Sequence, residues 1–250
     1  MLQVGRLIRD SPVRWEAAYK AFLAATETTR PRAYLEFLED NIPIPTPRQE
    51  GAAVRVLSIG SGSGEVDSAI LRKILQRQSS VYNRVVEPSG EMLKDFKALV
   101  QHDTSLGAVK FDWRQQTAEE YFSQSDGTKF DLAHAVHALY FVDDHDATLR
   151  NMWEQLDEEG HLFVLALTGI NYVITDEQEQ YVNVAECFKE HSEAGRLLLD
   201  FLTQTSNVSA HPEMRSKVLE YFLRNSSSVD DKILFSTANA AIIARKSTQK

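Results

Sequence analysis

Apolar positions fall into two rhythms along this chain. Short runs rich in Val, Leu and Ile, at 56–59, 83–87, 109–114, 131–140 and 160–168, read as strands. Between them apolar residues recur three and four apart: Val66, Ile70, Leu71 and Ile74 in one stretch, Met92, Leu93 and Phe96 in the next. Helices are therefore expected over 65–78, 89–100, 118–122 and 144–156, with Ser89 capping the second. Strands alternating with helices predict an α/β fold, Rossmann-like, around a doubly wound and mostly parallel sheet.

The flanks are less regular. Trp15, Tyr19, Phe22 and Leu23, then Tyr34, Leu35, Phe37 and Leu38, predict two helices broken near 28–31 by Pro31. Pro43, Pro45 and Pro47 mark a linker. The expected division is an N-terminal helical segment with its linker at 1–50 and a main domain at 51–250. Beyond the run at 160–168, only Thr168-Gly169 separates it from another strand-like run at 170–175. Parallel neighbours need a crossover of a dozen residues, so this pair is an antiparallel hairpin or not a pair at all. Helices follow at 194–201 and 212–223. Residues 232–245 read as two strand segments around Ser236-Thr237, ending in a strand antiparallel to its sheet.

Within this pattern, Ile59-Gly60-Ser61-Gly62-Ser63-Gly64-Glu65 joins a strand to a helix. Glycines suit such a turn because they accept positive φ and let a ligand approach the backbone. The helix start beyond it offers free N–H groups. Glu87, at the tip of the next strand, is placed to accept both hydroxyls of a ribose. The dinucleotide pattern G-x-G-x-x-G would put glycine where Glu65 stands, and a carboxylate there repels pyrophosphate. A cationic nucleoside without phosphates fits better, and S-adenosylmethionine is one. The residues 60–64, Glu87, Thr117 and 137–141 all fall at the carboxyl ends of predicted strands, where such sheets bind ligands.

Composition narrows the partners. The apolar fraction of 43% and charged fraction of 25% are those of an ordinary globular chain. The single cysteine, Cys187, excludes an internal disulfide and a cysteine-rich metal site. A net charge of −9 argues against nucleic acid, and no apolar run suggests a signal peptide or membrane span. His102, His145, His161, His191 and His211 show no metal-ligand spacing with acids or Cys187, so no metal is expected.

Several segments together resemble S-adenosylmethionine-dependent methyltransferases: 56–71, Val85-Val86-Glu87-Pro88-Ser89, Lys110-Phe111-Asp112-Trp113 and Leu139-Tyr140-Phe141-Val142. Phe22-Leu23, Thr26-Glu27, Leu199-Asp200-Phe201-Leu202-Thr203 and Lys232-Ile233-Leu234-Phe235 narrow this to the histamine N-methyltransferase family, over about 15–245. The resemblance implies a cytoplasmic, monomeric enzyme with S-adenosyl-L-methionine as cofactor and a small-molecule amine as substrate, histamine first. Gly60, Ser61, Gly62 and Gly64 would line the methionine end of the cofactor, and Glu87 the ribose. Met92, Ala118 and Val136 would border the adenine, with Thr117 beside them. Glu27 matches an acid that contacts the substrate amine, and Trp15, Tyr19, Tyr140 and Phe141 match an aromatic pocket.

The chain also departs from that family. His137 stands for a glutamine that binds the imidazole ring, Thr237 for an asparagine at the substrate, Ala118 for a serine and Met92 for a glutamine. A family segment carrying a helix and tryptophans over the substrate is missing after 168. Glu27 reads either as an ammonium anchor or as a solvated acid. His137 reads as a hydrogen-bonding partner or base, or as a structural histidine. Trp15 and Tyr19 read as helix core or as pocket. Two rivals stand beside an N-methyltransferase: a catalytically impaired cofactor-binding relative without its substrate lid, and an NAD-dependent enzyme, which Glu65 disfavours.

Overall fold

A computed structural model describes residues 7, 11–28, 38, 40–47, 51–124, 126–168 and 179–246. In chain order the elements are α1 (Pro12–Ala25), β1 (Thr26–Thr28), β2 (Val54–Ile59), α2 (Glu65–Leu75), β3 (Val81–Val86), α3 (Gly90–His102), β4 (Val109–Arg114) and α4 (Ala118–Ser123). They continue as β5 (Phe130–Val136), α5 (His145–Gln155), β6 (Leu156–Thr168), β7 (Glu179–Asn183), α6 (Glu193–Thr203), α7 (Pro212–Arg224), β8 (Ser226–Val229) and β9 (Lys232–Arg245). The chain divides into two units, Met1–Ala33 with Thr168–Asn239, and Tyr34–Leu167 with Ala240–Lys250.

The second unit is the α/β layer predicted by the sequence. β2 pairs in parallel with β3 and β5, β3 with β4, and β5 with β6. The strand order is β9-β6-β5-β2-β3-β4. Lys246 exchanges hydrogen bonds with Glu159 and Gly160, so the end of β9 lies beside the start of β6, as antiparallel neighbours require. Strands buried on both faces carry apolar residues at successive positions. Val54 and Val56 face Ile70, Leu71 and Ile74 of α2, while Leu57 and Ile59 join Ala118, Tyr121 and Met152 in the opposite layer. Caps set the helix starts. The Ser89 hydroxyl accepts from Met92 N at 3.3 Å, Asp144 accepts from Ala147 N at 2.9 Å, and Thr117 with Glu120 forms a capping box on α4.

In the first unit β1 and β9 both pair antiparallel with β7, and β8 pairs with β9. Arg14 of α1 binds the fully buried Asp200 of α6 at 2.6 Å, and Phe22 stacks on Phe201 at 4.6 Å. The carboxylate of Asp200 also accepts from Asn207 N and Val208 N, so its buried charge is fully engaged.

Three expectations need correction. The first N-terminal helix ends earlier than expected, at Ala25, and residues 26–28 that follow it form a strand, because Glu27 pairs with Tyr181 far along the chain. The strand expected over 131–140 stops at Val136, since His137 turns into the left-handed region at φ +53°. β9 is one strand, not two segments. The expected second N-terminal helix and the run at 170–175 lie outside the described residues, apart from Leu38 in the former. Among the described residues no helix is long and apolar enough to cross a membrane, and no group of three His, Cys, Asp or Glu could hold a metal.

Candidate functional site

The turn after β2 is built from three left-handed glycines, Gly60 at φ +69°, Gly62 at +56° and Gly64 at +88°. Gly64 caps α2, and Ser68 N closes the first helical bond onto its carbonyl at 2.8 Å. Glu87 follows β3 and reaches across to this turn. One carboxylate oxygen accepts from Gly62 N at 2.9 Å and the other from Ser89 N at 2.9 Å. Burial pushes the Glu87 carboxyl above its ordinary pKa, against the two backbone N–H bonds that favour its charge. Each oxygen keeps a second lone pair, so the carboxylate can still accept from a diol.

Among the described residues a β-carbon at Gly62 would meet only the Met92 sulfur, at 3.5 Å, so the backbone lies open there to a ligand. A nucleoside whose ribose reaches Glu87 fits this arrangement. Glu65 and Asp67 in the first turn of α2 make the same corner unfavourable for phosphate.

The other predicted cofactor residues divide. Thr117 spends its hydroxyl as the acceptor of the capping box, at 3.2 Å from Glu120 N. Ala118 is buried in the apolar layer with Ile59 and Val86. Val136 ends β5 half-buried, and the half-buried Met92 lies on α3 beside the turn. All of these, with Glu87 and the glycines, cluster at the carboxyl ends of parallel strands.

His137 follows β5 on that same edge. Its N–H bonds Leu165 O at 2.8 Å, and its Nδ1 lies 2.6 Å from the Tyr140 hydroxyl. Burial lowers its pKa to about 4, so the imidazole is neutral at physiological pH. Tyr140 meets Phe141 edge-on at 5.5 Å.

Trp15, Tyr19, Glu27 and Thr237 belong to the other unit. Trp15 and Tyr19 stack at 5.3 Å and both contact Phe201, so they are part of the α1–α6 packing. Glu27 pairs with Tyr181 in β7, and Thr237 pairs with Gln180 one row along. The side chains of Glu27 and Thr237 lie outside the described residues.

Sequence reasoning missed a buried polar chain beneath the turn. Ser58 of β2 lies 2.9 Å from Asn83 of β3 and 2.7 Å from Nε2 of His134 in β5. Nε2 of His134 lies 3.7 Å from Asp67 of α2, and Asp67 accepts from the Ser61 hydroxyl at 2.9 Å. Burial pushes Asp67 up and His134 down. A partial signal was available for each strand residue taken singly, since each is polar two places after an apolar, buried one: Val56, Val81 and Leu132.

Residues 57–162 match a family model described as a methyltransferase domain. The histamine N-methyltransferase of Cavia porcellus is 28% identical, with 89% of this chain and 92% of that protein covered. The alignment spans 274 positions, more than the 250 residues here, so the relative carries residues this chain lacks. Among solved structures, the YcgJ protein of Bacillus subtilis has a TM-score of 0.55 at 14% identity, over 86% of this chain and 98% of that one. A Bacillus halodurans protein classed as a methyltransferase has a TM-score of 0.52 at 14% identity, over 86% and 99%. These structures share the fold. The chain is thus a Rossmann-like α/β protein that matches a methyltransferase domain at its centre and resembles the histamine N-methyltransferases over most of its length.

Proposed function

We propose that this protein transfers a methyl group from S-adenosyl-L-methionine to a nitrogen of a small amine, with histamine the first candidate. The observation that carries the proposal is the grip of Glu87 on Gly62 N in an open, left-handed glycine turn. It suits a phosphate-free nucleoside and disfavours a dinucleotide. When bound, the cofactor supplies an activated methyl on a sulfonium. The chain's own task is to bind, align and exclude water.

Glu87 receives the ribose hydroxyls, the backbone of 60–64 receives the methionine end, and Met92, Thr117, Ala118 and Val136 border the base. His137, neutral through burial, adds no positive charge near a cationic donor and can hydrogen-bond the acceptor. Tyr140 and Phe141 offer aromatic faces to a cation. The resemblance assigns Glu27 to the amine, with Trp15, Tyr19 and Thr237 on the acceptor side. The same reading takes the protein as a cytoplasmic monomer that acts on small molecules rather than nucleic acid or membrane.

Calorimetry with S-adenosylhomocysteine and with NAD tests the cofactor assignment; binding of the first alone supports it, and binding of NAD alone overturns it. A methyl-transfer assay over a panel of amines, with Glu87→Ala as control, then tests the activity. Tight S-adenosylhomocysteine binding without turnover on any amine would favour an impaired cofactor-binding relative.

A further inference from the structure

Ser58, Asn83, His134 and Asp67 are all buried, with at most 3% of any of them exposed. By strand alternation the first three point to the α2 side of the sheet, the layer otherwise filled by Val54, Val56, Leu132 and Ile70. Apolar side chains of similar size would fill that layer with no polar groups to satisfy. The polar set is also incompletely paired, since Nδ1 of His134 and Nδ2 of Asn83 have no hydrogen-bond partner among the described residues. Such an arrangement weakens a core. It needs a reason outside the core.

The reason lies at the end of the chain of contacts. Asp67 carries it out of the sheet to the hydroxyl of Ser61, which stands between the left-handed Gly60 and Gly62. The glycine turn is therefore held at two consecutive residues by two buried carboxyls, Ser61 by Asp67 through its side chain and Gly62 by Glu87 through its backbone. Glycines resist deformation poorly, so a turn with three of them depends on outside grips for its shape.

We propose that Asp67, seated by His134, Ser58 and Asn83, is a positioning residue that acts through Ser61 to hold the glycine turn in its ligand-ready form before the cofactor arrives. This rests on reading the turn as the cofactor site. The role is pre-organisation, since Asp67 reaches the ligand only by way of the turn.

The test pairs loop dynamics with affinity. Amide hydrogen exchange at 60–64 in the ligand-free protein should quicken in Ser61→Ala and Asp67→Ala. Asp67→Asn, which keeps an oxygen for the Ser61 hydroxyl, should stay close to the parent. S-adenosylhomocysteine binding, by calorimetry, should weaken about five- to ten-fold in either alanine variant, the worth of one hydrogen bond. The double variant Ser61→Ala, Asp67→Ala should be no weaker than Asp67→Ala alone.

Additive losses, unchanged exchange in Ser61→Ala, or an Asp67→Asn as impaired as Asp67→Ala would overturn the proposal. If Asp67→Ala does not fold, Ser61→Ala decides the matter alone, because Ser61 lies in the turn and not in the core. A parent that binds no S-adenosylhomocysteine would count against the methyltransferase reading, while hydrogen exchange would still judge the role of Asp67.

Discussion

A β-carbon on Gly64 would lie 2.0 Å from the ring of Phe96. The same construction at Gly60 meets the Ala138 β-carbon at 2.4 Å, while Gly62 meets, among the described residues, only the Met92 sulfur at 3.5 Å. So the three glycines serve two purposes: two allow the turn to pack on its own fold, and one keeps the backbone open. Gly64→Ala combines a left-handed alanine with a forced shift of Phe96, at a cost of roughly 3 kcal/mol and a Tm lower by about 6–12 °C. Gly62→Ala should cost about 1 kcal/mol in stability and weaken S-adenosylhomocysteine at least about ten-fold. Thermal unfolding and calorimetry on both variants check the contrast; equal Tm losses would remove it.

Removing Glu87 should separate stability from binding. A carboxyl raised above its ordinary 4.5 by burial burdens the fold once pH exceeds that value, and the burden disappears when the group is protonated. The Tm of Glu87→Ala relative to the parent should therefore be more favourable at pH 7 than at pH 4.5. Its affinity for S-adenosylhomocysteine should fall by about a hundred-fold, as expected for two hydrogen bonds to a charged group. A Tm offset independent of pH would mean that Glu87 ionises without cost.

His137 titrates in the opposite sense. Its pKa is lowered from 6.5 to about 4, so the contribution of the neutral ring is complete above pH 6.5 and is lost as pH falls towards 4. Relative to His137→Gln, the parent should lose Tm between pH 7 and pH 5. The rate of methyl transfer should show no inflection from His137 between pH 5 and pH 9. An inflection near 6.5 that vanishes in His137→Gln would show the ring to be solvated.

Arg84 anchors the opposite face of β3. Its side chain is 5% exposed and binds Asp112 and Asp126, each at 2.9 Å, and the Tyr121 hydroxyl at 3.2 Å. The guanidinium holds the Asp126 carboxyl far below the usual carboxylate range. Arg84→Ala strands these partners and should cost about 3 kcal/mol, a Tm lower by about 10 °C, with S-adenosylhomocysteine affinity near that of the parent. The Asp126 contribution is present above its ordinary 3.8 and lost as pH falls below it, so acid should narrow the gap between variant and parent.

Local pattern reveals what short-range physics decides. The turn at 60–64, its flanking strand and helix, and Glu87 at the tip of β3 were legible because apolar period, glycine and capping act within a few residues. The strand at 26–28 was not legible, since its stability comes from pairing with β7. The end of β5 was missed because φ at His137 answers to packing, not to hydropathy. The Ser58–Asn83–His134 set was not legible as a set, because its members come from three strands that only the sheet makes neighbours.

Strand β9 has a consequence for how the protein is made. Its first residues complete one unit and its last residues the other, so neither unit is a contiguous stretch of polypeptide. On the ribosome the glycine turn emerges well before the strand beside β6 that closes its sheet, because residues 168–239 of the other unit come between them. Folding of the two units is thus coupled through the order of synthesis, and a nascent chain halted before residue 240 leaves an edge of β6 uncovered.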